Sequence, residues 1–156
     1  MKKVIFIIAS VISTVAFSQE PISKTIGEFS TVKVYDLIEV NMIKSDNNSV
    51  EIKGKNTDDV VVVNNNGKLK IKMKIDKIFN GKETKVTLYY TSVDVVDANE
   101  GAKIKLQENL EQFEIQLNAQ EGGYINANIK VTYADIKSVT GGKVTASGNA
   151  DNQDIY

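Results

Sequence analysis

The side chains able to do chemistry form a narrow set. The chain has no His, no Cys and no Arg, and all of its 19 basic residues are lysines. Without imidazole or thiolate there is no Ser-His-Asp or Cys-His nucleophile, and no nitrogen or sulfur metal site. Without a guanidinium, bidentate clamping of carboxylate or phosphate is also excluded. Carboxylate, lysine, tyrosine and hydroxyl chemistry remain. The most ordered group is Lys68, Lys70, Lys72 and Lys74, interleaved with Leu69, Ile71, Met73 and Ile75. On a strand this places four ammonium groups on one face, a candidate ligand face for an anionic glycan or lipid headgroup. The plainer reading, that the lysines keep an exposed strand soluble and discourage edge-to-edge pairing, is preferred.

Three weaker groups follow. Glu100 and Glu121 hold equivalent positions in a repeat described below, so their carboxylates could stack about 5 Å apart. Retaining glycosidases need two carboxyls at roughly that separation. Stacking brings any pair of like residues this close, and two solvated turn residues are the preferred reading. Asp46-Asn47-Asn48 and Asp58-Asp59 offer oxygen ligands for calcium, but neither has the spacing of a calcium loop, and Asp and Asn are ordinary turn formers. Tyr89, Tyr90, Tyr124 and Tyr133 could form a sugar-stacking platform, although alternation sends Tyr89 and Tyr90 to opposite faces. No catalytic residue, metal ligand or cofactor site emerges.

The elements that carry these residues read as strands. From Phe29 onward the periodicity is two: Val32 and Val34, then Ile38, Val40 and Met42, then Val50 and Ile52, and later Val86, Leu88 and Tyr90. Turn clusters separate the runs, at Ser45-Asp46-Asn47-Asn48, Asn64-Asn65-Asn66-Gly67 and Asn80-Gly81. The single helical candidate, Asp76 to Phe79, amounts to one turn. In the second half Asp94–Ile104, Glu114–Ile125 and Asp135–Val144 repeat a pattern of strand, glycine turn and strand. Their turn glycines Gly101, Gly122 and Gly141 recur at steps of 21 and 19 residues. A period near 20 in all-β sequence marks a β-solenoid, whose rungs bury their faces against one another; a β-meander is the alternative.

The ends and the charge set the compartment. Lys2 and Lys3, the apolar run Val4–Phe17 and the small residues Ala16 and Ser18 have the plan of a secretory signal peptide cut after Ser18. The run is shorter than the roughly 20 residues a membrane-spanning helix needs, and no second such run follows. Beyond Ser18 the lysines, two fewer than 19, face 20 acidic residues, a net charge of −3. That balance argues against nucleic acid as a partner. Asp154-Ile155 stands where Asp135-Ile136 stands one rung earlier, so a rung begins as the sequence stops, with no distinct cap. The expected layout is a signal peptide over residues 1–18, a lead-in over 19–28 and one domain over 29–156, truncated at its C-terminus with a frayed last rung.

The opening Gly27-Glu28-Phe29-Ser30-Thr31-Val32-Lys33-Val34, with Ile38-Glu39-Val40, Val50-Glu51-Ile52-Lys53-Gly54, Gly67-Lys68-Leu69-Lys70-Ile71 and the glycine-centred rungs, resembles one family. It is similar to the putative auto-transporter adhesin, head GIN domain family of Bacteroidetes-type bacteria. The resemblance implies an exported β-helical domain and offers no catalytic residues to carry over. The expected fold is therefore all-β, a right-handed parallel β-helix or β-solenoid with rungs of about 20 residues and an open C-terminal end. The expected protein is a non-enzymatic envelope or cell-surface module that binds glycan or an envelope polymer and reaches the periplasm, the outer surface or the medium. A purely structural envelope protein stands second and a polysaccharide-active enzyme third.

Overall fold

The computed structural model describes residues 21–156, so the signal peptide expected over residues 1–18 lies outside the described residues. Eleven strands follow in order: β1 (Ile22–Thr25), β2 (Thr31–Val34), β3 (Glu39–Lys44), β4 (Ser49–Gly54), β5 (Val60–Asn65), β6 (Lys68–Met73), β7 (Thr84–Tyr90), β8 (Val95–Ala98), β9 (Lys103–Ala119), β10 (Tyr124–Ser138) and β11 (Lys143–Ile155). Two 3₁₀ turns, Thr57–Asp59 and Ile75–Lys77, are the helical content among the described residues. The apolar alternation becomes burial directly. In β6 Leu69, Ile71 and Met73 are buried while Lys68, Lys70 and Lys72 are exposed. Each such side chain contributes about 1.5–3 kcal/mol on leaving water, and they join one core that includes Val32, Val34, Ile38, Met42, Leu88, Ile104, Leu117 and Ile125.

All eleven strands belong to one mixed sheet. The start of β9 pairs in parallel with β3 (Lys103 opposite Glu39), and its end pairs in parallel with β8 (Ala119 opposite Ala98). Two strands along one edge of a third require the sheet to curl over, which gives it two faces around the core. One face runs β4-β7-β3 and then the first parts of β9, β10 and β11; the other runs β5-β6-β2-β8 and then their last parts. Tyr124 lies opposite Lys103 and Lys143, the spacing that the glycine repeat predicts. A uniform parallel stack is not what the first half adopts, because β1–β4, β4–β7 and β5–β6 are antiparallel pairs. Strand β1 also falls inside the stretch expected as a lead-in. The last rung is not frayed: β11 pairs with β10 through Ile155 opposite Ile136, and no strand among the described residues covers its other edge.

Where the chain passes from one face to the other it makes the same tight corner four times. The two central residues are left-handed in each: Asp36 and Leu37 (φ 60° and 64°), Glu100 and Gly101, Glu121 and Gly122, Thr140 and Gly141. Paired positive φ values are the type I′ signature. The fourth residue's N–H returns to the first carbonyl, as in Ala102 to Asn99 at 2.9 Å and Gly123 to Gln120 at 2.9 Å. The corners stack through backbone bonds, Leu37 N–H to Glu100 O at 3.0 Å and Gly101 N–H to Glu121 O at 2.9 Å.

Candidate functional site

The lysine row opens onto a cleft at this stack of corners. Its volume is about 310 Å³, and Tyr35, Asp36, Lys70, Lys72, Met73, Ile75, Ile78 and Glu100 line it. Strand β6 supplies the two ammonium groups because its alternation turns Lys70 and Lys72 outward. The β2–β3 corner supplies Tyr35 and Asp36, the next corner supplies Glu100, and the segment after β6 supplies Ile75 and Ile78.

Asp36 organises the site. It is 2% exposed, and its carboxylate accepts the N–H of Met73 at 2.9 Å and of Phe79 at 3.2 Å. It thereby ties the end of β6 and the following segment to the corner. Burial, and then the Asp36 carboxylate beside it, push the Glu100 carboxyl above its ordinary value, with a smaller push from Glu121. Burial likewise raises the Tyr35 phenol, against the opposing pull of Lys33. Lys33 holds its proton more firmly than usual because its Nζ donates to Asp97 at 2.6 Å, partly offset by burial. Asp97 and Asn99 are both buried; Asn99 Nδ2 donates to Asp97 Oδ1 at 3.0 Å, and Gln120 Nε2 donates to Asn99 Oδ1. The cleft therefore presents two ammonium groups without acidic partners among the described residues, a phenol, the carboxyls of Asp36 and Glu100 and an apolar wall.

The residues singled out from sequence are brought together only in part. Lys68, Lys70 and Lys72 form the expected row, but Lys74 lies past the end of β6, with its Nζ 3.0 Å from Asp59 Oδ1. Ile75 leaves the apolar face altogether and is 88% exposed. The corners of Glu100 and Glu121 do stack, yet the carboxyl that acts most on Glu100 is Asp36. Asp36 was missed because Leu37 occupies the left-handed position held by glycine in the other corners; aligning Tyr35–Ile38 with Asn99–Ala102 was the available signal. Asn48 Oδ1 accepts the N–H of Thr91 at 2.8 Å and Asp59 faces Lys74, so both calcium candidates have protein partners. Tyr90 is buried, Tyr124 lies beside Lys143, and Tyr133 packs edge-on against Phe113 at 5.4 Å, so the tyrosines form no common platform.

Comparison with known proteins places this architecture. No curated protein matches the chain. A putative adhesin from Bacteroides fragilis NCTC 9343 superposes with a TM-score of 0.66 at 13% identity, over 85% of this chain and 62% of its own. A putative adhesin from Parabacteroides distasonis ATCC 8503 gives 0.62 at 17% identity, over 83% and 54%. A putative lipid binding protein from the same organism gives 0.61 at 16% identity, over 88% and 62%. This chain thus spans between about half and two thirds of each of those chains, and at these identities the likeness concerns the fold. No helix among the described residues is long and apolar enough to cross a membrane. The model of the putative auto-transporter adhesin, head GIN domain family matches residues 28–156, and the chain belongs to that family.

Proposed function

We propose that this protein is an exported, non-enzymatic binding module of the bacterial envelope or cell surface, and that Lys68, Lys70 and Lys72, without Lys74, form the face that takes an anionic glycan or envelope polymer. The observation that carries the reading is the cleft beside Lys70 and Lys72, where both ammonium groups stand free of acidic partners among the described residues. A regular strand spaces like charges evenly, which suits a repeating polyanion better than a single small ligand. Export rests on the plan of residues 1–18. We read the scaffold as β-solenoid-like in its C-terminal part, a reading supported by the parallel register of β9, β10 and β11 at offsets of 19 to 21 residues.

Binding of residues 19–156 to an array of anionic bacterial polysaccharides tests the reading. Saturable binding that weakens with salt and falls at least about tenfold in K70E/K72E supports it. A folded sample that binds nothing on the array shifts the assignment to a structural envelope role.

A further inference from the structure

Between β6 and β7 the chain exposes apolar side chains that the core could have used. Ile75 is 88% exposed, Ile78 50% and Phe79 57%. Three large apolar residues within five positions form a patch of the kind that marks an interaction site. The segment does not lie slack. Lys77 N–H bonds Lys74 O at 2.8 Å, Asn80 N–H bonds Lys77 O at 3.0 Å, and Gly81 N–H bonds Asp36 O at 3.1 Å. Asn56 Nδ2 donates to Asn80 O at 2.9 Å, and the Asp36 carboxylate holds the Phe79 N–H. Phe79 itself sits at φ 63°, a left-handed conformation that a bulky residue adopts only where its surroundings enforce it. The fold thus holds the apolar tip away from the core.

Lysines flank this tip, Lys72 beside Ile75 and Ile78 in the cleft and Lys77 and Lys82 along the chain. Lys72, Lys77 and Lys82 have no acidic partner within ion-pair distance among the described residues. Of the nearby acids, Asp59 is matched by Lys74 and Glu83 by Lys55, while Asp58, Glu100 in the adjoining cleft and Asp76, the one acidic residue of the segment itself, have no ion-pair partner among the described residues. We infer that Lys74–Lys82 is a bilayer-docking tip that seats on the surface of an anionic phospholipid membrane. Ile75, Ile78 and Phe79 would enter the boundary between headgroups and acyl chains, and the lysine stems would reach back to the headgroup phosphates. A second copy of this chain is disfavoured because two such cationic collars repel. A hydrated polysaccharide would leave the three apolar side chains wet. The tip adjoins the polymer-binding face, with which it shares the cleft residues Lys72, Ile75 and Ile78, and extends beyond it through Phe79, Lys77 and Lys82.

Co-sedimentation of residues 19–156, which contain the whole sheet and core described above, with phosphatidylcholine vesicles with and without phosphatidylglycerol tests it. The protein should sediment only with the anionic vesicles, and less as salt rises. I75N/I78N/F79N should lower the partition at least about tenfold, and K77E/K82E about fivefold per lysine. Both variants should keep the wild-type melt, and K77E/K82E, whose residues do not line the cleft, should also keep polysaccharide binding. Because the chain has no Trp, F79W adds a single reporter whose emission should shift to the blue on the anionic vesicles, while F113W, on the far bend of the sheet, should not respond. Wild-type protein left in the supernatant at low salt would overturn the inference, as would a triple variant that sediments like wild type or an F79W emission that stays unchanged as the protein sediments.

Discussion

Removing the Asp36 carboxylate tests how the cleft is held together. D36A strips the acceptor from two backbone donors, the Met73 N–H at 2.9 Å and the Phe79 N–H at 3.2 Å. A buried donor left unpaired costs about 1–3 kcal/mol. Met73 is buried and bears that cost in full, whereas water can reach the exposed Phe79, so the sum is about 2–4 kcal/mol. Against a total stability of about 5–15 kcal/mol this is large, and it should lower the melting temperature by about 6–12 °C. D36N keeps one acceptor oxygen and should lose roughly half as much. A second signature separates this account from a generic core defect. Glu100 titrates above its ordinary value of 4.5, by burial first and by the Asp36 carboxylate next. A raised acid means that the folded state binds the extra proton. Wild-type stability from this source is therefore complete below that ordinary value and declines as pH rises through the raised one. Without the Asp36 charge only burial and Glu121 remain, so the decline should shrink in both variants. Urea melts followed by circular dichroism across that pH range read both quantities. A D36A protein within about 0.5 kcal/mol of wild type, or one with an unchanged pH profile, would refute the reasoning.

Three further outcomes follow from the same geometry. A Cβ on Gly123 would stand 2.1 Å from the Ala98 carbonyl oxygen, so G123A must displace backbone and should cost more than about 3 kcal/mol. G67A, which meets nothing closer than 4.0 Å but sits at φ 78°, should cost only about 1 kcal/mol, and thermal melts separate the two. I71A should cost about 2–5 kcal/mol by leaving a cavity, while I75A, four residues on and in the open, should stay within about 0.5 kcal/mol by the same assay. Lys33 has its pKa raised above 10.5 chiefly by its bond to Asp97, so that part of the stability is present below 10.5 and lost as pH rises through the raised value. D97N should flatten the alkaline limb of the stability profile, a result that denaturant melts at alkaline pH would show or exclude.

Alternation was the legible part of the sequence. It located Leu69, Ile71 and Met73 correctly, and the spacing of Gly101, Gly122 and Gly141 gave both the corners and the register of the last strands. It overran at Ile75, because nothing local reveals that the chain leaves the strand there for the 3₁₀ turn Ile75–Lys77. The corner at Asp36-Leu37 was hidden for another reason. Leucine is disfavoured at φ 64° and is tolerated where the corner stack holds it, so tertiary context overrides the local signal. The antiparallel pairs of the first half were equally invisible, since period-two patterns do not state which strand lies alongside which. The cleft inherits these gaps: its lysines were readable one by one, but Tyr35, Asp36 and Glu100 meet them only through corners far apart in the chain.

The order of strands has a mechanical consequence. The rung formed by β2 and β3 lies between the β6–β7 rung and the one that carries β8 and the start of β9, although its residues precede all of them in the chain. Tension applied at Tyr156 would peel β11 from β10 a few bonds at a time, as a zipper opens at low force. When the rupture reaches the start of β9, the next layer is β2–β3, gripped by ladders on both sides and not next in sequence. The pull then passes along β8 to β7, behind the gripped layer, and must break several ladders together. Pulled from Tyr156, the C-terminal rungs would therefore open at lower force than the N-terminal half.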